Sequence, residues 1–159
     1  MVEMAKIRHA LVLAGTRIIK RLLRAGVPMG PMVLLTVRGR TTGQPRTTPV
    51  DLFERDGRRW LVATHDGANS NWVRNLRAAG EGSLTHGHRR QEVSAEELTP
   101  EAAGTVLKEV LGPRLASPAR GFVLRRTLDV APNASLDDFI SEARRYPVFE
   151  LRSRPEPSS

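Results

Sequence analysis

The chain has 159 residues, enough for one domain with a core of its own. It contains no cysteine, which excludes disulfides, thiolate metal sites and a cysteine nucleophile, and its 4% of aromatic residues leaves few stacking platforms for single-stranded nucleic acid. Its 25 lysines and arginines against 17 aspartates and glutamates give a formal charge of +8, mostly arginine, which is either a solvated basic surface or an attraction for polyanions: nucleic acid, anionic lipid, or a small ligand bearing phosphate or carboxylate.

Residues Ala5 to Ala25 repeat at helical spacing. At roughly 100° per residue, Ile7, Leu11, Val12, Ile18, Ile19, Leu22 and Leu23 share one broad face, and Lys6, Arg17, Lys20, Arg21 and Arg24 the other. Such a helix either docks on the rest of its domain or lies on a membrane surface. Its charges interrupt the apolar run, so it does not read as a bilayer span. They also follow the apolar residues rather than precede them, unlike the pattern of a secretory signal. The expected location is the cytoplasm, with a peripheral place at the inner face of the plasma membrane if the helix touches lipid. The stretch "GVPMGP" (Gly26 to Pro31) stops the helix, so residues 1–30 are expected to form a helix and linker.

"MVLLTVR" (Met32 to Arg38) reads as a buried strand and "TTPVDLFER" (Thr47 to Arg55) as a second. Asp56-Gly57 marks a tight hairpin, and "RWLVAT" (Arg59 to Thr64) is the third strand. From His65 to Gly80 turn residues give way to helix formers, with Asn69, Ser70 or Asn71 as candidate caps and Gly80 as the closing residue. Gly82 to Leu98 reads as a hairpin turning near Gly87. Thr99, Pro100 and Glu101 open a helix expected to end at Gly112. Further helices are expected over Pro118 to Leu128 and from a capping box at Ser135 and Asp138 to Arg145. Tyr146 to Leu151 reads as a last strand and residues 152–159 as a flexible tail. The layout is α+β, built on an antiparallel sheet or small barrel spanning 31–151.

Self-sufficient catalytic motifs are missing. The sequence holds no dinucleotide fingerprint, phosphate loop, H-E-x-x-H or G-x-S-x-G. His86 and His88 flank Gly87 where the hairpin must turn, so the turn reading is preferred and no metal site is expected. An enzyme of this composition needs reactivity supplied by a cofactor. No recognised nucleic-acid motif accompanies the charge.

One segment invites a ligand. In "GRTTGQPRTTP" (Gly39 to Pro49) the glycines free the backbone, the threonines offer hydroxyls, and Arg40 and Arg46 offer charge. It is either an anion cradle or an exposed turn. Further on, Trp72, Asn75 and Leu76 lie at helical spacing behind a Gly/Asn/Ser loop. That helix start suits an anion. Trp72 either presents a flat face to a planar ligand or docks the helix on the sheet.

"LLTVRGRTTGQPRTTPV", "DGRRWLVAT" and "GANSNWVRNLRAAG", in that order, resemble the deazaflavin-dependent nitroreductase family, and "EARRYPVFEL" is similar to its last strand. The resemblance implies a split β-barrel of the flavin-reductase kind with flanking helices. It also implies coenzyme F420, a deazaflavin with a phosphate and an acidic glutamate tail; FMN is the alternative. By that resemblance Arg40, Thr42, Arg46, Thr47 and Thr48 would hold phosphate or carboxylates. Pro49, Val50, Ala63, Thr64, His65, Trp72 and Asn75 would lie along the ring and its linker. The implied reaction passes a hydride from reduced F420 to an enone, quinone or nitroaromatic; the alternative is a non-catalytic carrier of F420, flavin or a lipid-like ligand. No catalytic side chain is identified. Asp51 stands where an aromatic is common in the family, and is either a proton relay or a strand-end carboxylate facing solvent.

Overall fold

The computed structural model describes residues 15–27, 31–64, 67–118, 121 and 128–155. Six strands, β1 (Met32–Arg38), β2 (Pro45–Arg55), β3 (Arg58–Val62), β4 (Glu81–His86), β5 (Arg89–Glu97) and β6 (Val148–Ser153), close into an antiparallel barrel in the order β1-β2-β3-β6-β5-β4. Helix α1 covers 15–24 within the described residues. Helix α2 (Asn71–Ala79) is inserted between β3 and β4, and α3 (Pro100–Ala116) and α4 (Leu136–Arg145) between β5 and β6. The fold is the expected α+β split barrel with flanking helices.

Local chemistry accounts for the hairpins and caps. Asp56 and Gly57 both have positive φ, 52° and 74°, the twist a two-residue hairpin requires. Ser135 Oγ accepts from the Asp138 amide, and Asp138 Oδ2 accepts from the Ser135 amide, which completes the predicted capping box of α4. Thr99 Oγ1 accepts from the Ala102 amide at the start of α3, with Pro100 in the first turn.

Strand alternation divides the core in two. Leu35, Val50, Leu61, Leu84, Val93 and Phe149 belong to one buried cluster, which also takes Val73 and Leu76 of α2. Phe53, Trp60 and Val62, on the opposite face of β2 and β3, pack under Leu107, Leu111 and Phe139 of α3 and α4. Gly104 permits this helix pair, because a Cβ there would lie 2.8 Å from the Ile140 backbone nitrogen.

Several expected boundaries move. Helix α3 does not end at Gly112; it runs through Pro113 to Ala116. Leu111 and Leu115 are fully buried, so packing favours continuation over the local stop signal. Proline cannot donate to the Glu109 carbonyl, and Arg55 Nη1 donates to it instead at 2.9 Å. Strand β2 begins two residues before Thr47, at Pro45, which pairs with Arg38. Strand β3 ends at Val62, before Thr64. Arg152 and Ser153, read as tail, pair with Ser94 and Val93 in β6, and Tyr146 lies before the strand. The apolar face of α1 is narrower than its periodicity suggests: Leu23 is buried and Ile19 half-buried, whereas Ile18 and Leu22 are exposed. The helix expected over 118–128 falls mostly outside the described residues; the Gly121 amide donates to the Ser117 carbonyl at 2.8 Å. Gly87 turns the β4–β5 hairpin with φ 61°, and its amide donates to the Leu23 carbonyl, tying α1 to the barrel.

Candidate functional site

The Gly39–Gln44 turn is tied into a compact loop. The Gly39 amide donates to the Gln44 carbonyl at 2.8 Å, the Gly43 amide donates to the Gly39 carbonyl at 2.9 Å, and Gly43 takes φ 71°. The loop leans on α2. The Arg40 amide and Nη1 both donate to Asn75 Oδ1, at 3.2 and 2.8 Å, and Nη2 donates to Asn71 Oδ1 at 3.5 Å. Asn75 is buried, and its Oδ1 is committed to holding the loop. Neutral partners leave the Arg40 charge uncompensated. Among the described residues no carboxylate pairs with Arg38, Arg40 or Arg46, whereas Arg58, Arg77, Arg90 and Arg154 pair with Glu150, Glu97, Glu92 and Glu81.

Helix α2 starts without a side-chain cap. Ser70 is the N-cap residue, but its hydroxyl donates to the Gly67 carbonyl at 2.8 Å. No acidic residue stands in the first turn. The positive end of the helix dipole is therefore not offset by a side chain in that turn, and Ser70, Asn71 and Trp72 line the same pocket as Arg40 and Arg46. Gly80 closes the helix in the left-handed conformation, as expected.

Two lobes of one cleft meet at Trp72. The basic lobe, about 1020 Å³, is lined by Arg40, Thr42, Arg46 and Asn75 among others. The second lobe, about 950 Å³, is lined by Pro49, Val50, Asp51, Thr64 and Tyr146 among others. Thr48, Asn69, Ser70 and Trp72 line both. Trp72 thus does both things open to it: it packs against Phe149, ring centroids 6.0 Å apart, and it borders the cleft.

Of the residues implied by resemblance, Arg40, Thr42, Arg46, Thr48, Trp72 and Asn75 come together in the basic lobe. Thr48, Pro49, Val50, Thr64 and Trp72 come together in the second. Thr47 and Ala63 line neither. Thr47 Oγ1 lies 2.8 Å from Thr36 Oγ1 across the strand pair, and Ala63 is buried in the barrel cluster. His65 lies outside the described residues. Asp51 is not a solvent-facing strand end: it sits within β2, half-buried, and Thr64 Oγ1 donates to its Oδ2 at 2.8 Å.

The second lobe also holds residues the sequence did not reveal. Thr16 and Ile19 come from α1, and Arg145 and Tyr146 from the end of α4. Only Gly67 carried a usable signal. It takes φ 51°, and a Cβ there would collide with the Arg145 carbonyl oxygen, so the Gly67–Asn69 turn can press against α4 only with glycine.

Comparison with known proteins follows the same lines. A family model described as F420H(2)-dependent quinone reductase matches residues 17–117. Among solved structures, one described as a domain-swapped dimer is 21% identical, with a TM-score of 0.50, covering 86% of this chain and 95% of that one. A candidate 5-nitroimidazole antibiotic resistance protein from Bacteroides thetaiotaomicron is 10% identical, with a TM-score of 0.52, covering 86% of this chain and 80% of its own. A candidate pyridoxamine 5'-phosphate oxidase from Listeria innocua is 8% identical, with a TM-score of 0.50, covering 79% and 86%. At these identities the structural matches show the barrel fold alone.

Proposed function

The chain belongs to the F420H(2)-dependent quinone reductase family, and from that premise we propose that its two-lobed cleft is where reduced F420 meets an electron-poor acceptor. F420-dependent reduction is the family's activity, F420 its cofactor, and the FMN alternative has no support in the matches. One observation carries the assignment of the cleft: uncompensated guanidinium groups and helix amides at one end, joined through Trp72 to a second lobe without such a cluster. A planar ring with an acidic tail has this division of shape and charge, so the residues fit the cofactor.

In this reading Arg40, Arg46 and Thr42 hold the phosphate or carboxylates, with the first-turn amides of α2 as further donors. Asn75 and Gly43 fix the loop in advance, which lowers the ordering cost of binding. Trp72, Thr48, Pro49 and Val50 flank the ring and its linker, with Thr64 at the edge. Thr47 and Ala63 act from behind the wall by shaping it. The bound deazaflavin, when reduced, supplies a hydride. The protein's task is to align the acceptor, an enone, quinone or nitroaromatic, and to limit water at the meeting point.

Titration of F420 into the purified protein, followed by turnover of an acceptor panel, tests this. Saturable binding with turnover supports the reductase; binding without turnover leaves a carrier of F420. Absence of binding into the high micromolar range defeats both.

Helix α1 supports a finer proposal, contact with an anionic bilayer. Ile18, Leu22 and Val27 are 58, 37 and 40% exposed, and Arg17, Arg21 and Arg24 beside them are exposed too. Positive charge around an apolar patch complements acidic lipid. Among the described residues no helix is long and apolar enough to cross a membrane. Flotation with anionic vesicles should fall when Ile18 and Leu22 become serine; unchanged flotation, or none at the outset, rejects the idea.

A further inference from the structure

We infer that Asp51 selects the charge of the acceptor, excluding anionic molecules from the second lobe while admitting neutral ones. The inference rests on the reading that the F420 ring enters this lobe and meets the acceptor there.

Asp51 lies in mid-strand, paired with Met32 of β1 and Val62 of β3. Asp51 borders the lobe, and its carboxylate receives a neutral hydrogen bond from Thr64 Oγ1. Thr64 is only 4% exposed, so the hydroxyl that orients the carboxylate is held by the protein interior. Among the described residues no lysine or arginine forms an ion pair with Asp51. Arg145 borders the same lobe, but its Nη1 approaches Glu142 Oε1 at 3.5 Å and its guanidinium carbon lies 5.5 Å from the Tyr146 ring centroid. Among the described residues lining this lobe, the charge left without an ion pair is therefore that of Asp51, while in the basic lobe it is that of Arg40 and Arg46.

A half-buried carboxylate without a cation is costly, and an apolar side chain would stabilise the same wall better. What the carboxylate adds is discrimination. A second negative charge brought into a partly desolvated lobe meets repulsion that bulk water would screen. The same polarity disfavours entry of an acidic tail into this lobe and leaves it to Arg40 and Arg46. Specificity here comes from a repulsive element rather than an added contact.

The test compares 1,4-naphthoquinone with its 2-sulfonate, in wild type, Asp51→Asn and Asp51→Glu. Dissociation constants are measured by tryptophan fluorescence quenching on protein without cofactor, in saturating inorganic phosphate so that the basic lobe is filled, and kcat/KM with reduced F420. The wild type and Asp51→Glu should bind the neutral quinone about tenfold or more tightly than the sulfonate. Asp51→Asn is nearly isosteric and keeps an acceptor for Thr64; its preference should shrink to about threefold or less. An unchanged ratio in Asp51→Asn overturns the inference, as does failure of the neutral quinone to bind. F420 affinity, titrated separately in all three proteins, reports on the cofactor assignment alone, so loss of F420 binding with an intact charge preference would fault that assignment and not Asp51.

Discussion

Arg40 and Asn75, 35 residues apart, meet through one oxygen: the Arg40 amide and guanidinium both donate to Asn75 Oδ1. This joint fixes the basic loop against the start of α2, where the uncapped amides lie. Asn75→Leu removes the acceptor and leaves the Arg40 amide without its partner. It should cost about 1–3 kcal/mol in urea unfolding. It should also weaken F420 binding about tenfold, a change worth about 1.4 kcal/mol. A deazaflavin lacking phosphate and glutamates should bind wild type and variant alike, because the joint serves the tail and not the ring.

Gly67 and Gly43 separate conformational strain from collision. Both have positive φ, 51° and 71°, but a Cβ at Gly43 meets nothing within 4 Å, whereas one at Gly67 strikes the Arg145 carbonyl oxygen. Gly43→Ala should cost about 1 kcal/mol, the ordinary penalty for a left-handed alanine. Gly67→Ala should cost clearly more and should disturb the second lobe, since the Gly67–Asn69 turn and Arg145 both border it. Thermal unfolding of the two variants gives the comparison.

Arg55 substitutes for a missing helix hydrogen bond. Its Nη1 satisfies the Glu109 carbonyl that Pro113 cannot reach. Arg55→Ala should lower stability by about 1 kcal/mol. In a Pro113→Ala background the new amide reaches Glu109, so the same substitution should cost less. A double-mutant cycle by urea unfolding measures the coupling, and additive costs would refute it.

Glu150 links stability to pH. The hydrogen bond from Arg58 Nε, aided by the charges of Arg58 and Arg152, holds its carboxyl below the ordinary 4.5 despite opposing desolvation. A carboxyl lowered in the folded state stabilises above its ordinary value. That contribution disappears as pH falls through the lower folded value. Glu150→Gln should therefore unfold at a lower temperature than wild type at pH 7, and the gap should close as the pH drops below 4.5. A gap constant across that range would contradict the assignment.

Much of this architecture was legible because it depends on neighbours in the chain. Asp56-Gly57 turns a hairpin, Ser135 and Asp138 cap a helix, and Gly80 ends one, each through contacts within a few residues. The barrel's inner and outer faces follow from alternation in β2 and β3, where Val50 and Leu61 take one side and Phe53 and Trp60 the other. Where such signals failed, a distant contact had intervened. Gly112-Pro113 reads as a helix end, yet burial of Leu111 and Leu115 and a hydrogen bond from Arg55 carry α3 past it.

Element types, their order, the surplus of positive charge and the two segments that border the cleft can all be read along the chain. That Arg40 grips Asn75, that Asp51 borders a lobe, and that Arg145 and Tyr146 complete it emerges once the chain has folded. The reason is geometric. Periodicity states which way a side chain points from its own strand or helix, and barrel closure between residues far apart in the chain decides what it meets there.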